Sequence, residues 1–329
     1  MKLTEKESLV IAALELRADA PMALVRKESG LHDHTIRYAL RSLIERNVIT
    51  PLPFINLHRL RLTVYSIFFT VGGEKRGAHN ALIRALIAEP MVLWVGEFGG
   101  EYHYGVGVAV RRLGELTGFL DALSQKHGAI FRDKAISVQI SSTIFPRRYL
   151  TSKKISAKPL RVTFDEREPV VLDMLDRKIL SELTSHGTLS HRQIALKIQA
   201  PLSTVELRIR KLKDLGVIAG DIYSVDAAAF DMQSFKLLVY TKNLDSALTT
   251  KMTEFCSLHP NITTLIDCLG SWGYEISVEV HRPEEVSRLV QQMYEQFGNA
   301  IQTIKTLTKF SYPKVRFFVE EGERCRLKR

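Results

Sequence analysis

Cysteine is scarce in this sequence of 329 residues, which contains only Cys256, Cys268 and Cys325. Three cysteines exclude a framework of disulfide bonds, and without a C-x-x-C pair the commonest sequence signal of a zinc site is missing. Cys256 and Cys268 lie in apolar segments and are expected in the core. This usage is typical of a reducing compartment, so we predict a cytoplasmic protein with neither a metal ion nor a cofactor.

Long apolar runs are missing as well. The longest candidates, VYSIFFTV and MVLWV, are far shorter than the ~20 residues of a membrane-spanning helix and are typical of buried strands. The first residues, MKLTEKES, lack the apolar core of a secretory signal. The sequence therefore predicts no association with a membrane.

Positive charge, by contrast, is in excess. The chain has 46 lysines and arginines against 36 aspartates and glutamates, a formal net charge of +10. Such a balance favours polyanionic partners, above all nucleic acid, although many basic proteins bind none. Hydrophobic residues make up 45% and charged residues 25%, which excludes a disordered chain. At ~150 residues per domain, the length indicates about two domains or more.

The strongest pattern is an internal repeat. A shift of 169 residues aligns 30–50 with 199–219, and a shift of 170 aligns 89–110 with 259–280. Apolar and glycine positions coincide in both comparisons: Ile36, Leu40 and Leu43 fall on Val205, Ile209 and Leu212, and Gly100 and Tyr104 fall on Gly270 and Tyr274. The sequence therefore predicts a tandem duplication.

Each half begins with helical periodicity. Helices are predicted at 4–16, 21–28 and from Asp33 in the first half, and at 172–184, 190–198 and from Ser203 in the second. Short extended segments follow at 52–56 and 221–225. Three helices and a strand pair form the outline of a winged helix-turn-helix.

Local signals mark where these helices begin and end. Ser190 with Gln193, and Ser203 with Glu206, have the spacing of capping boxes. Asn47 and Gly216 stand where the end of a helix favours a left-handed residue.

The remainder of each half predicts the order strand–helix–strand–strand–helix–strand. The strands are predicted at 62–71, 92–99, 104–110 and 136–143, and again at 234–242, 263–270, 274–280 and 304–310. The helices between them are predicted at 78–88 and 112–127, and at 244–259 and 283–298. This order is that of the ferredoxin-like βαββαβ fold.

The predicted fold class is therefore α+β, with four domains in tandem. Winged helix-turn-helix domains are predicted at 1–56 and 171–226, and ferredoxin-like βαββαβ domains at 57–150 and 227–329. The segment 151–170 lacks periodicity and is interpreted as the linker.

The third helix of each half is the candidate DNA-binding element. In the second half, Val205, Ile209 and Leu212 have the spacing of one buried face. The opposite face could contact phosphates and base edges in a major groove, and it carries Ser203, Thr204, Leu207, Arg208 and Lys211. The corresponding face of the first half carries His34, Thr35, Arg37, Tyr38 and Arg41, with His32 and His34 as candidate capping or phosphate-contacting groups. The alternative is a basic face that is only solvated.

These segments resemble a known family. LDMLDRKILSEL (172–183) and APLSTVELRIRKLKDLGVIAG (200–220) resemble the DNA-binding domain of the Lrp/AsnC (feast/famine) transcriptional regulators. CLGSWGYEISVEV (268–280) is similar to that family's effector-binding and oligomerisation domain, called RAM. The first half resembles both domains more weakly, at 43–49 and 98–110. The resemblance implies a regulator that binds double-stranded DNA and forms homo-oligomers through its RAM sheets, which in a tandem chain could pair within one chain.

The resemblance also implies a site for an amino-acid-like effector in the loop between the second and third RAM strands. Where the family has an acidic residue in this loop, this chain has Gly273 and His103. The alternative is a turn that only builds the interface between sheets. The carried-over positions are Gly270, Ser271, Trp272 and Tyr274 in the second half, and Gly100, Glu101, Tyr102 and Tyr104 in the first.

Two other function classes remain open. Sirohaem decarboxylases use the same pair of domains, and an enzyme of that kind would need basic side chains around a tetracarboxylate macrocycle. A RAM protein that acts without DNA is the third interpretation. The candidates for the enzyme are His103, His281, Arg111, Arg112 and Arg282. Because no catalytic constellation is visible beyond these, we predict a regulator rather than an enzyme.

Overall fold

The computed structural model describes residues 2–72, 76–128, 131–153, 155–164, 167–185, 189–242 and 245–319. Cys325 lies outside these residues, as do the first residue of the helix predicted at 244–259 and the last ten residues of the chain. The α-helices are α1 Glu5–Leu14, α2 Met22–Ser29, α3 Asp33–Glu45, α4 Arg76–Ala88, α5 Leu113–His127, α6 Met174–Ser185, α7 His191–Lys197, α8 Leu202–Asp214, α9 Ser246–Leu258 and α10 Glu284–Phe297.

The strands are β1 Ile49–Ile55, β2 Thr63–Val71, β3 Val92–Gly99, β4 Tyr104–Val110, β5 Phe131–Ile144, β6 Leu160–Thr163, β7 Ile218–Val225, β8 Gln233–Thr241, β9 Ile262–Gly270, β10 Tyr274–Val280 and β11 Ile301–Val315. The chain is therefore an α+β protein. Among the described residues, no helix is long and apolar enough to span a bilayer.

The predicted capping boxes have different outcomes. The one at α7 is confirmed: the backbone N–H of Gln193 donates to the Ser190 hydroxyl, and the backbone N–H of Ser190 donates to the side-chain oxygen of Gln193. The one at Ser203 is wrong, because α8 begins at Leu202 behind Pro201, which places Ser203 inside the first turn. Asn47 and Gly216 do adopt left-handed conformations, with φ of 56° and 71°.

The strand pair expected within each half is wrong in detail. Each half contributes one strand, and β1 pairs with β7 in an antiparallel ribbon. Leu52 lies opposite Ile222, and Pro53 lies opposite Asp221. In the 169-residue alignment Leu52 corresponds to Asp221 and Pro53 to Ile222, so this pairing has the register of a local twofold axis. The two sets of three helices are thus joined by their strands.

Eight of the other strands, all except β6, form a closed ring. Within the first half the order is β5-β2-β4-β3, and within the second it is β11-β8-β10-β9, as the ferredoxin-like prediction requires. The edge strand β3 pairs with the end of β11, and the edge strand β9 pairs with the end of β5. Each sheet therefore covers the exposed edges of the other, which leaves an eight-stranded antiparallel barrel.

The last strand of each half is longer than its sequence pattern indicates. The beginning of β5 pairs with β2 and its end with β9, while β11 pairs first with β8 and then with β3. The predicted linker also contains a strand, because β6 pairs with residues 141–144 of β5. In β6, half-buried Leu160 and buried Val162 alternate with exposed Arg161 and Thr163, but four residues are too few to stand out as a strand in the sequence.

The space inside the barrel is filled by large side chains. Phe68, Phe98, Tyr102 and Trp272 pack there against Leu238, Leu307 and Cys268. A side chain at Gly107 would collide with the indole ring of Trp94, so glycine is needed for this close approach. Cys256 and Cys268 are both fully buried, which confirms their predicted place in the core.

The helices at each end pack across the halves. Tyr223, Phe230 and Met232 join the core of α1–α3, and Leu60 and Leu62 join that of α6–α8.

A buried ionic cluster also joins α1 to the second sheet. Arg147 contacts Glu279 at 2.8 Å and Glu15 at 3.1 Å, and Tyr149 donates a hydrogen bond to Glu279. Burial raises the pKa of Glu15 even beside Arg147. Burial also acts to raise the pKa of Glu279, but the charge and hydrogen bond of Arg147, together with the hydrogen bond from Tyr149 and the charge of Lys309, lower it overall. The guanidinium is thus the shared counterion of two buried carboxylates.

Candidate nucleic-acid interface

Helix α8 has the two faces that its sequence predicts. Val205, Ile209 and Leu212 are buried in the core that α8 shares with α6 and α7. On the other side Ser203, Leu207 and Lys211 are exposed, and Thr204 is half-buried. Leu207 is 62% exposed, so the face offers an apolar contact beside hydroxyl and cationic groups.

Arg208 differs from the expectation of a cation free to meet DNA. Its guanidinium lies 2.5 Å from Asp173 and 3.2 Å from Asp176, at the start of α6. The hydrogen bond with Asp173 raises the pKa of Arg208. The pKa of Asp173 is lowered first by the hydrogen bond that it accepts from the backbone N–H of Asp176, and further by its hydrogen bond with Arg208. Arg208 therefore holds α8 against α6.

A second cation of α8 is also engaged within the protein. Lys213 lies 3.0 Å from Asp19 of the first half and also pairs with Asp221. Arg210 and Lys211 are exposed, and no ion pair with a carboxylate is seen for either among the described residues. Of the four cations on this helix, these two are therefore accessible to an external anion.

Helix α3 occupies the corresponding place in the first half. Ile36, Ala39 and Leu43 are buried. The imidazole rings of His32 and His34 stack 5.8 Å apart, and His32 stands at the N-cap without a side-chain capping bond, so its predicted capping contact is not formed. The outward residues include the 78% exposed Tyr38, exposed His34, Arg37 and Arg41, and half-buried Thr35.

The loops expected to hold an effector contact the opposite sheet. Ser271 donates from both its backbone N–H and its hydroxyl to the carbonyl of Ile136, and the N–H of Ile136 donates back to that hydroxyl. Trp272 is buried, and its backbone N–H donates to the hydroxyl of Ser137. A side chain at Gly270 would collide with the same backbone. This loop builds the junction between β9 and β5.

The matching loop of the first half also contacts the sheet of the other half. The carboxylate of Glu101 lies 2.5 Å from Lys305, whose ammonium also sits over the rings of Tyr102 and Tyr240. Gly100 lies against the backbone at Thr306. Six of the eight predicted effector residues thus contribute to contacts between the halves.

The other two lie on the helix side of each sheet. The hydroxyl of Tyr274 is 3.0 Å from that of Thr249 in α9, and Tyr104 stacks on Phe69. The eight residues therefore do not line one common pocket.

The five candidates for an enzyme site are not brought together either. His103 precedes β4, whereas Arg111 and Arg112 follow its other end, seven strand residues away. At ~3.3 Å per residue, the eight steps from His103 to Arg111 span about 26 Å. His281 and Arg282 follow β10, and all five residues are exposed.

A groove along α9 escaped the sequence reasoning. Its walls include Asp267 and Arg161, and the signal that could have found it is a row of hydroxyl residues on one helix face: Ser246, Thr249, Thr250, Thr253 and Ser257.

Among comparisons with known proteins, a family match is found for the segment that contains α6–α8. Residues 172–219, which span these three helices, match the family of winged helix-turn-helix DNA-binding domains. The chain is 24% identical over 143 residues to an HTH-type transcriptional regulator of Pyrococcus horikoshii, an alignment that covers 43% of this chain and 95% of the relative. The chain is therefore similar to helix-turn-helix transcriptional regulators over about half its length.

Solved structures extend the fold similarity to both halves. The sirohaem decarboxylase NirDL, in complex with an iron-uroporphyrin III analogue, matches 96% of this chain and 95% of its own, with a TM-score of 0.61 and 12% identity. AsnC of Escherichia coli matches 46% of this chain and 100% of its own, with a TM-score of 0.38 and 20% identity. At such identities, the NirDL match shows a shared fold across the whole chain.

Proposed function

We propose that this protein is a sequence-specific DNA-binding transcriptional regulator of the Lrp/AsnC type. The observation that carries the proposal is the exposed face of α8, in the segment similar to winged helix-turn-helix domains. Lys211 and Arg210 would neutralise phosphates, while Ser203, Thr204 and Leu207 would meet base edges or sugars. Arg208 would act indirectly, by fixing the orientation of α8.

The finer organisation belongs to the same proposal. There would be two helix-turn-helix units, at 1–56 (α1–α3 with β1) and at 171–226 (α6–α8 with β7). Each would be followed by a RAM-like unit, at 57–150 and 227–329. The register of β1 and β7 supports a twofold relation between the helical units. One chain would then equal a dimer of single-unit regulators, and its third helices would address two unlike half-sites. Homo-oligomers of this chain remain a prediction.

The second unit is expected to dominate specific binding. The purified chain would first be used to select its operator from genomic DNA fragments. Two charge-matched variants follow from the structure: Arg210→Ala with Lys211→Ala on α8, and Arg37→Ala with Arg41→Ala on α3. Each contact with a phosphate contributes about −0.9 to the slope of log affinity against log salt. We expect the α8 pair to flatten this slope more, measured by fluorescence anisotropy.

A remote cation provides the control for that experiment. Lys251 is exposed on α9 and distant in sequence from both helical units, so Lys251→Ala should leave the slope unchanged. Equal slopes for the two pairs would make the units equivalent. Unchanged affinity in both variants would refute DNA binding through these helices.

The whole-chain similarity to NirDL supports a second candidate, a sirohaem decarboxylase-like enzyme. The filled barrel interior and the scattered basic side chains speak against it. Titration with sirohaem decides between the two, because a bound tetrapyrrole would shift its visible absorption band. We expect no saturable shift, and a saturable one would favour the enzyme.

A further inference from the structure

The groove along α9 has the chemistry of a binding site. It lies between α9 and the end of β5, beside β6, with a volume of about 660 Å³. Five hydroxyl side chains of α9, the carboxylates of Glu254 and Asp267, and the guanidinium of Arg161 line it. No part of the proposed DNA contact involves these residues.

Three of the five hydroxyl groups have already donated their protons to the helix, and a fourth, that of Thr249, lies 3.0 Å from the hydroxyl of Tyr274. Thr250 donates to the carbonyl of Ser246, Thr253 to that of Thr249, and Ser257 to that of Glu254, each at 2.8 Å. A hydroxyl has one proton and two acceptor lone pairs. What these side chains can still offer to a ligand is therefore oxygen that accepts hydrogen bonds.

Asp267 adds a carboxylate with an unused oxygen. Its Oδ2 accepts from Arg161 at 2.8 Å and from the hydroxyl of Ser141, whereas Oδ1 has no partner among the described residues. The residue is only 4% exposed, and a buried carboxylate oxygen without a donor is costly. Burial raises the pKa of Asp267 despite Ser141 and Arg161.

Charge around the groove also favours a cation. Glu254 is exposed on the same helix, so the two carboxylates, Asp267 and Glu254, face the single guanidinium of Arg161. Arg161 already donates to Asp267 at 2.8 Å, to Ser141 at 3.0 Å and to Thr253 at 3.5 Å, so part of its donor capacity is used within the protein. The hydroxyl of Thr253 keeps a second lone pair for a ligand.

The first half of the chain provides an internal comparison. At the 170-residue shift Asp267 corresponds to Glu97, and Ser141 to Ser311. Ser311 donates to Glu97 at 2.8 Å, so the carboxylate–serine pair is present in both halves. On α4, however, the positions of Thr253, Glu254 and Ser257 are occupied by Ile83, Arg84 and Ile87. The acceptor-lined groove is therefore specific to the second half.

We propose that this groove binds a small organic cation with a primary ammonium group, held by Asp267 and by the acceptor oxygens of Thr250 and Thr253. An ammonium group has three donors and no acceptor, which complements such a surface. The inference does not depend on the proposed DNA binding, because binding to the free protein is measured directly.

The test is isothermal titration calorimetry on the full chain without DNA. Putrescine, spermidine and L-lysine serve as probes, with 1,4-butanediol and succinate as neutral and anionic controls of similar length. We expect saturable one-site binding of at least one amine and none of the controls. Binding of L-lysine without putrescine or spermidine would identify an amino-acid ligand, and the opposite result a polyamine-type ligand.

Three variants locate the site. Asp267→Asn is expected to weaken binding about tenfold or more, because the charge-assisted hydrogen bond is lost. Thr253→Val keeps the shape of the side chain and removes one acceptor, so it tests the groove even if Asp267→Asn fails to fold. Glu97→Gln removes the same charge from the equivalent strand of the first half and should change nothing. The proposal would be overturned if no amine bound. It would also be overturned if the two single variants, Asp267→Asn and Thr253→Val, both bound the amine as tightly as the wild type.

Discussion

Replacing Arg147 by methionine is expected to lower the free energy of unfolding by about 3–5 kcal/mol. The guanidinium is the shared partner of Glu15 and Glu279, whose side chains are 0% and 7% exposed. Without it, both buried carboxylates lose their ion pair, or one must bind a proton at neutral pH. Urea unfolding followed by circular dichroism measures the change.

Two further variants make that result specific. Arg148→Met alters the neighbouring exposed arginine in the same way and should have little effect on stability. Adding Glu15→Gln and Glu279→Gln to Arg147→Met should recover part of the loss, because both buried charges are removed. If Arg147→Met were as stable as the wild type, the cluster would not hold α1 to the barrel.

The second large effect is expected from Ile209→Asp, which should unfold α6–α8. Ile209 is 5% exposed among Val205, Leu212 and Ile179, and an unpaired carboxylate there costs at least about 3 kcal/mol. Far-UV circular dichroism should show a loss of helix, and hydrogen exchange should confine the lost protection to 172–219. On the proposed function, specific DNA binding disappears with the fold.

Leu207→Asp is the matched control on the opposite face of α8. It introduces the same charge at a position that is 62% exposed, so the helical unit should stay folded. DNA binding should nevertheless weaken, because the new carboxylate would approach phosphates. Full DNA binding by a folded Leu207→Asp protein would contradict the proposed orientation of this face.

Helices and strand positions could be predicted where one face of an element is buried. Val205, Ile209 and Leu212 repeat at helical spacing, and β3, β4 and β10 have the predicted bounds. Cys256 and Cys268 were likewise placed in the core from their apolar neighbours. In these elements burial alone determines the residue pattern.

Pairing between the halves could not be predicted in the same way. The pattern of β1 or of β11 shows which side chains are buried but not which strand supplies the hydrogen bonds. The role of Arg208 was missed for a related reason, since Asp173 lies 35 residues away in sequence. The α9 groove combines residues of four separate elements, β5, β6, α9 and β9. Its buried carboxylate, Asp267, lies within an apolar strand whose sequence predicts only core residues.

Closure of the barrel within one polypeptide has a consequence for stoichiometry. A ring made from two separate chains comes apart on dilution and exchanges its members with any related protomer in the cell. Here β3–β11 and β5–β9 are joined by the chain itself, so neither dilution nor exchange can change the composition of the ring. Each substitution is also present once rather than twice. Asp267 and Glu97 could therefore diverge independently, so that one half acquired a property the other half lacks.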